Sequence, residues 1–221
     1  MIRVLVTDDE PLVRFGLRAL LDATDDITVV GEAADGATAL AQARALAPDL
    51  VLTDLRMPGM DGITATKQLL ALPNPPIVLV LTTFDTEEGV TEALQAGAAG
   101  YLLKDAPPEQ LVGAIRLVAS GGTVLASASA AHLVNASRDR SDQAVRVPPD
   151  QRRRLEKLSE QQRELLRLVG GGLSNAQIAQ RMYLAEGTVK AYVSRLLTAL
   201  AVENRTQAAI LAHNAGLLDG E

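Results

Sequence analysis

The chain has 221 residues, 48% of them hydrophobic, which excludes wholesale disorder and favours two domains of ordinary size. It contains no cysteine, which excludes disulfides and thiolate metal sites. No apolar run approaches the ~18 residues of a membrane span, and the first residues lead directly into an apolar strand pattern rather than a secretory signal. We therefore expect a cytoplasmic protein with no membrane partner.

The net charge of −6 is divided unevenly along the chain. Residues 1–120 carry 8 Lys and Arg against 17 Asp and Glu, whereas residues 121–221 carry 13 against 10. Opposite signs in the two parts predict different partners. We predict a first domain at 1–120, a partly helical and then flexible linker at 121–154, and a second domain at 155–221. The polar, aperiodic stretch 137–149 is typical of a linker.

Four short apolar runs in the first domain end in polar residues. The runs Val4–Thr7, Leu50–Thr53, Ile77–Leu81 and Tyr101–Leu103 lead into Asp8 and Asp9, Asp54, Thr82, and Lys104 respectively. Segments of helical pattern separate the runs, which predicts an α/β fold with a parallel sheet. Ligands of such sheets bind beyond the carboxyl ends of the strands. We therefore expect these polar side chains to share one crevice.

The acidic residues of this crevice require positive charge. Two carboxylates in contact repel by about 4 kcal/mol at an effective dielectric constant near 20, and Asp8, Asp9 and Asp54 form three such pairs. Lys104 supplies one cation, and a divalent ion that prefers oxygen ligands supplies the rest. Mg²⁺ commonly completes its coordination with phosphate oxygens, so the crevice is suited to a phosphoryl group.

The residue types also predict a reaction at this site. A carboxylate can attack phosphorus and carry an acyl phosphate, which makes Asp54 the predicted nucleophile. Lys104 and the Thr82 hydroxyl are positioned to bond the phosphoryl oxygens, and no general base is needed. The expected Mg²⁺ ligands are Asp8, Asp9, Asp54 and the backbone carbonyl of Arg56. Each residue alone also fits a solvated turn or a helix-entry charge, but the joint pattern favours the site.

Four segments carry a resemblance to the receiver domain of two-component response regulators over roughly residues 1–120: Asp8–Asp9, Asp54–Gly62, Thr82 and Gly97–Lys104. The resemblance implies a flavodoxin-like, doubly wound sheet of five parallel strands in the order 2-1-3-4-5. It also implies that Asp54 accepts phosphate from a sensor histidine kinase, that Asp9 binds magnesium, and that Thr82 and Tyr101 form a switch pair.

The second domain contains well-marked helix ends. Two serine–glutamine pairs have capping-box spacing: Ser159 with Gln162, and Ser174 with Gln177. The glycines at 170–172 end the first helix, and we predict the next two helices at 175–182 and about 187–200.

On the third helix Val189, Val193, Leu196, Leu197 and Leu200 form an apolar stripe. The opposite face holds Gly187, Lys190, Ala191, Ser194 and Thr198, with Arg195 nearby. Because most side chains on this face are small, the helix can lie deep in a DNA major groove. The second and third helices are therefore predicted to form a helix-turn-helix.

Residues 158–218 resemble the four-helix, all-α DNA-binding domain of LuxR-type regulators. The matching segments are Leu173–Ala179, Gly187–Val193, Asn204–Ala208 and Ala215–Leu217. The resemblance implies that Lys190, Ala191 and Ser194 face bases and that Thr188 and Arg195 face phosphates. Four positions depart from the family pattern: Ala185 replaces a serine cap, Tyr192 a histidine, Ala201 a glycine, and Ser194 a residue that is often basic.

Together the two resemblances identify a response regulator of the NarL/FixJ, LuxR-type family. They imply a phosphorylation-switched regulator with three partners: a sensor histidine kinase, double-stranded operator DNA, and a second copy of the chain when phosphorylated. The alternative is a DNA-binding regulator that is never phosphorylated. A haloacid-dehalogenase-type enzyme is excluded because Arg56 stands where that class needs a second acid.

Two features of the second domain each allow two interpretations. The cations at 152–154 are either a solvated helix start or a phosphate contact. The last predicted helix, residues 207–216, has an apolar stripe at Ala208, Leu211, Ala212 and Ala215 that either packs on its own domain or pairs with a second copy.

Overall fold

The computed structural model describes residues 1–83, 87–122, 124–125 and 147–218. It divides into two units, Met1–Ala119 and Ser120–Glu221. Most of the linker predicted at 121–154, including residues 137–146 of its polar stretch, lies outside the described residues, so it stays a prediction. Within the described ranges, no helix is both long and apolar enough to cross a bilayer.

The first unit is an α/β fold around a parallel sheet. Its strands are β1 (Ile2–Thr7), β2 (Ile27–Ala33), β3 (Leu50–Thr53), β4 (Ile77–Thr82) and β5 (Gly100–Leu103). They lie in the order β2-β1-β3-β4-β5, with every neighbouring pair parallel. Its helices are α1 (Pro11–Asp22), α2 (Gly36–Leu46), α3 (Gly62–Leu70), α4 (Glu87–Gln95) and α5 (Pro108–Ala119). The predicted fold class and strand order are confirmed.

The strands are apolar because helices cover the sheet. All four residues of β3 and the last four of β1 are buried. Register aligns the carboxyl ends: Thr7 pairs with Thr53, and the Asp54 N–H donates to the Thr7 carbonyl at 2.9 Å. The strand order reverses at β1 and β3, so the residues that follow these strands lie at the switch point where such sheets bind ligands.

Glycines shape the return of the chain after β3. Gly59 has a φ of +76°, which L side chains rarely adopt. Gly62, the first residue of α3, approaches the backbone so closely that a Cβ atom would lie 2.0 Å from the Asp54 carbonyl oxygen. The Gly62 N–H donates to the Leu55 carbonyl at 2.8 Å. The turn is therefore held tightly against the residue that ends β3.

The second unit is helical in its described part, apart from a two-residue strand, β6 (Val124–Leu125). Its helices are α6 (Pro149–Glu156), α7 (Glu160–Gly170), α8 (Asn175–Met182), α9 (Glu186–Leu200) and α10 (Arg205–Asn214). Both predicted capping boxes are present. The third predicted helix begins one residue earlier than expected, and the last runs two residues earlier at each end, within the usual variation of helix ends. α7 to α10 are the four helices expected of the domain.

Buried side chains of α7, α9 and α10 form most of the core of the second unit. α7 contributes Leu165, Leu166, Leu168 and Val169, and α9 contributes Val189, Val193, Leu196 and Leu200. The predicted stripe of α10 lies in the same core, with Ala208 and Ala212 fully buried, Leu211 4% exposed, and Ala215 partly buried against them. The packing interpretation of this stripe is therefore the one that the structure supports.

Candidate functional site

The carboxylates of the predicted crevice lie together at the carboxyl ends of β1 and β3. Asp8 and Asp54 are 2% and 4% exposed, whereas Asp9 is exposed to solvent. One oxygen of each carboxylate lies within 4.8 Å of an oxygen of each of the others. This arrangement follows from strand register, because it places the residues after β1 and β3 side by side. The cluster offers oxygen donors to a divalent cation.

Lys104 neutralises the two buried members of this cluster. Its Nζ lies 2.7 Å from Asp8 Oδ2 and 2.8 Å from Asp54 Oδ2, and 3.7 Å from Glu10 Oε1. The backbone N–H of Lys104 donates to the Thr82 carbonyl at 2.8 Å, which ties the end of β5 to the end of β4. One ammonium group thus contacts the carboxylates that follow two different strands.

The local electrostatics follow from burial and hydrogen bonding. Burial raises the pKa of the Asp8 carboxyl above its ordinary value, although the hydrogen bond from Lys104 opposes the shift. Burial lowers the pKa of Lys104, but its hydrogen bonds to Asp54 and Asp8 outweigh burial and raise the pKa above its usual range. The Lys104 ammonium therefore stays charged throughout the neutral range.

Backbone amides orient the Asp54 carboxylate. Its Oδ1 accepts the N–H of Leu55 at 2.6 Å and that of Arg56 at 3.4 Å, while Oδ2 accepts from Lys104. These bonds hold the carboxylate at the entrance of the turn that precedes α3. The Arg56 residue itself is exposed. Its carbonyl remains a predicted metal ligand.

Thr82 and Tyr101 are fully buried on neighbouring strands. Thr82 pairs with Leu103 and Tyr101 with Val80 in the β4–β5 register. The ring of Tyr101 thus lies inside the unit, and the switch role of the pair stays a prediction.

Sequence reasoning missed two groups that support this site. The N–H of Glu10 donates to Asp8 Oδ1 at 3.0 Å, and the Arg14 guanidinium donates to the Asp8 carbonyl at 2.7 Å. Arg14 also lies 3.6 Å from Glu32. Glu10 had a signal, since it adjoins the acid pair in sequence, but Arg14 is one helical turn into α1 and had none.

The second candidate site is the exposed face of α9. Lys190, Ala191, Ser194 and Arg195 are exposed and Thr188 is half-buried, opposite the buried apolar stripe. This is the arrangement predicted from helical periodicity. α8 and α9 pack against each other across the turn at 183–185, as in a helix-turn-helix.

Tyr192 and Arg195 form a contact on this face that the sequence did not predict. The guanidinium carbon of Arg195 lies 4.7 Å from the centre of the Tyr192 ring, within cation–π range. The Arg195 Nε also donates to the Ala191 carbonyl at 3.4 Å. Tyr192 is itself half-buried and packs against the core. The side chain of Arg195 is thus supported from one side.

Family models match both units of the chain. The model of the response regulator receiver domain matches residues 4–116, and that of the bacterial regulatory proteins of the luxR family matches residues 156–212. This chain belongs to the two-component response regulators with a LuxR-type DNA-binding domain. The predicted family is confirmed.

Curated relatives resemble the regulator over nearly its whole length. The uncharacterized transcriptional regulatory protein YxjL of Bacillus subtilis is 41% identical over 98% of this chain and 97% of its own. The DNA-binding transcriptional activator DevR/DosR of Mycobacterium tuberculosis is 40% identical over 96% of this chain and 94% of its own. These relatives are transcriptional regulators, which agrees with the prediction that the chain is not a turnover enzyme.

Solved structures show the same architecture. The response regulator ChrA of a heme-sensing two-component system is 41% identical, covers 98% of both chains and has a TM-score of 0.52. A structure of two RcsB dimers bound to two parallel DNAs is 25% identical, covers 97% of this regulator and 98% of that chain, and has a TM-score of 0.56.

Proposed function

We propose that the regulator is switched by phosphorylation of Asp54, with Mg²⁺ as cofactor and a sensor histidine kinase as phosphodonor. The observation that carries this proposal is the position of the Lys104 ammonium, 2.7 Å from Asp8 and 2.8 Å from Asp54 in a buried pocket. A carboxylate already paired with a fixed cation can receive a phosphoryl group without rearrangement of the charges around it.

The residues present fit a magnesium ion. Asp8, Asp9 and Asp54 offer clustered carboxylate oxygens, and the Arg56 carbonyl follows two residues after Asp54. These groups would hold the ion, which would supply charge neutralisation for the phosphoryl oxygens. Asp9 is the exposed member, so it leaves a side of the cluster open to solvent and donor.

The protein's own groups can carry the transfer. A carboxylate oxygen of Asp54 forms a bond to phosphorus while the bond from phosphorus to the donor's imidazole nitrogen breaks, and the nitrogen keeps the electron pair. The Lys104 ammonium and the Thr82 hydroxyl then bond phosphoryl oxygens. Catalysis of this kind consists mainly of positioning and charge stabilisation, so no side chain has to move a proton.

Phosphorylation would act on the Thr82–Tyr101 pair. Phosphate adds about −1.5 to −2 charge units and strong acceptors, which attract the Thr82 hydroxyl and favour the inward ring of Tyr101. Shifting a two-state balance from 1:99 to 99:1 requires about 5.5 kcal/mol of differential interaction, which a few charge-assisted bonds supply. The output would be homodimerisation and binding of paired half-sites through α9, with bases facing Lys190, Ala191 and Ser194 and phosphates facing Thr188 and Arg195.

The experiment that tests the switch uses a small phosphodonor. The full chain is incubated with acetyl phosphate and Mg²⁺, and its intact mass is measured. We expect one added phosphoryl group on the wild type and none on Asp54→Asn or in the presence of a chelator. A wild-type mass that does not change would contradict the proposal.

DNA binding separates the switch from the alternative, a phosphorylation-independent regulator. The alternative predicts that wild type and Asp54→Asn bind DNA equally well with and without acetyl phosphate. The switch predicts that only the wild type gains affinity.

A further inference from the structure

A cationic cluster, Arg153, Arg154 and Lys157, lies on α6 and the turn that follows it. All three side chains are exposed. Among the residues that the structure describes, none of the three has an ion-pair partner. Asp150 is the acidic side chain that lines the same cavity, so the local excess of positive charge is two.

Packing gives this cluster a defined place in the second unit. Val147 and Leu158, which flank α6, are each 8% exposed in the core, and Leu155 packs against the same core. The cluster lines a cavity of about 480 Å³ together with Gln162 of α7 and Ala199 of α9. α6 is therefore part of the folded helical unit, and its cations lie beside the carboxyl-terminal half of α9.

A second cavity connects this cluster to the DNA-facing side of α9. It has a volume of about 300 Å³, and Gln161, Gln162, Tyr192 and Arg195 are among the residues that line it. Gln162 lines both cavities. Arg195 and Ala199 are one helical turn apart, or about 6 Å at 1.5 Å per residue. The surface from Arg195 to the cationic cluster is therefore continuous.

We propose that the cationic cluster of α6 binds DNA backbone phosphates that flank the half-site read by α9. This inference rests on the proposed function of α9. Duplex DNA carries one negative charge per about 1.7 Å of its axis, so a groove that bears three cations and adjoins Arg195 is complementary to it. The contact involves no base edge, so it adds affinity without sequence preference.

The test compares three arginines on one helix. Arg152 is exposed, precedes the cluster directly, and is not among the residues lining either cavity. Arg152→Gln is therefore a control matched in charge and chemistry for Arg153→Gln and Arg154→Gln. The full chain, treated with acetyl phosphate and Mg²⁺ or left untreated, is titrated against two duplexes. One duplex carries a binding site that the protein selected from a pool of random sequences. The other is a mixed-sequence duplex of equal length.

We expect Arg153→Gln and Arg154→Gln each to weaken binding to both duplexes by a similar factor and to lower the salt slope by about 0.9. The double variant Arg153→Gln, Arg154→Gln should lower the slope by about twice as much. Arg152→Gln should leave the slope nearly unchanged. Trimming the selected duplex to the half-site should weaken the wild type and abolish the difference between the wild type and the double variant. Thermal unfolding of each variant shows that the fold is intact.

The outcomes that would overturn this proposal can be distinguished from those that would overturn the proposed function. An equal effect of Arg152→Gln would show general attraction instead of a contact. An unchanged double variant, with operator binding still weakened by Lys190→Ala, would refute the cluster's role and leave the proposed function standing. If the double variant binds DNA as the wild type does but no longer binds polyglutamate, the partner of the cluster is an acidic protein and not DNA. Wild type that binds neither duplex in either state would refute the proposed function as well.

Discussion

Lys104 illustrates how one residue sets the chemistry of the receiver pocket. Its side chain is 9% exposed and satisfies two buried carboxylates from different strands. Removing one partner of a buried ionic group leaves uncompensated charge, which typically costs about 3–5 kcal/mol. We therefore expect the pocket's stability and its proposed phosphorylation to depend on the same ammonium group.

Replacement of Lys104 tests this dependence. We expect Lys104→Met to lower the free energy of unfolding in chelator and to slow phosphorylation by acetyl phosphate about 10²-fold or more, as for removal of one fixed donor to a reacting oxyanion. Lys67→Met removes an exposed lysine of α3 and serves as the control. Denaturant unfolding and the time course of intact mass measure the two effects. Equal rates for the two variants would show that Lys104 has no part in the transfer.

Tyr192 is a departure from the family pattern that has a visible structural consequence. Its ring supports the Arg195 guanidinium, and such contacts contribute about 0.5–1 kcal/mol at exposed sites. We expect Tyr192→Phe to bind DNA like the wild type and Tyr192→Leu to bind about two- to fivefold more weakly, with a smaller salt slope. Fluorescence anisotropy across a salt series measures both. The effect of Tyr192→Leu should vanish in an Arg195→Ala background, and its persistence there would refute the positioning role.

At the scale of elements, the turn from β3 to α3 brings the backbone at Gly62 close to the backbone of Asp54. A Cβ atom on Gly62 would lie 2.0 Å from the Asp54 carbonyl oxygen. We expect Gly62→Ala to destabilise the receiver unit and to slow phosphorylation, because the Asp54 backbone must move. Gly113→Ala, in α5 with no atom within 4 Å of the added methyl group, should instead stabilise by up to about 1 kcal/mol. Thermal unfolding shows whether each variant is less or more stable than the wild type. A Gly62→Ala variant as stable as the wild type would contradict the packing argument.

The end of α9 carries strain that a single substitution should relieve. Ala201 has a φ of 53° at the C-cap, in the left-handed region that costs a non-glycine residue about 1–2 kcal/mol. We expect Ala201→Gly to raise the free energy of unfolding of the DNA-binding unit by about 1 kcal/mol. Ala71 caps α3 with a φ of −81° and is also exposed. Ala71→Gly should therefore give no gain, and a gain there equal to that of Ala201→Gly would exclude backbone strain as the cause.

At the scale of the whole molecule, the proposed switch requires a charge at Asp54 to affect DNA binding by α9. The apolar stripe of α10 is buried within its own unit, so it leaves little apolar surface for a partner. We expect acetyl phosphate and Mg²⁺ to convert the wild-type chain from monomer to dimer in light scattering and to tighten operator binding in parallel. Asp54→Asn should do neither. Dimerisation of Asp54→Asn to the same extent would separate assembly from phosphorylation.

Local patterns were enough to predict most of the fold. Apolar runs that end in Asp8, Asp54, Thr82 and Lys104 predicted parallel strands, because a strand covered on both faces must be apolar along its length. The stripe on α9 predicted its buried and exposed faces for a similar reason, since burial follows the helical period. Both signals are contained within one element, so they can be recognised in sequence without knowledge of its neighbours.

The individual contacts between elements had no such signal and were decided by tertiary structure. The sequence predicted that Lys104 shares a crevice with the carboxylates, but its direct contacts with Asp8 and Asp54 depend on strand order and register. The support of Arg195 by Tyr192 depends on side-chain orientation. The cationic residues of α6 had two equal interpretations in sequence. Packing of Leu155 and Leu158 placed them beside α9. The sequence by itself determined which residues are buried and which carry charge, whereas only the folded chain decided which charges meet, because distances between elements are set by packing over the whole core.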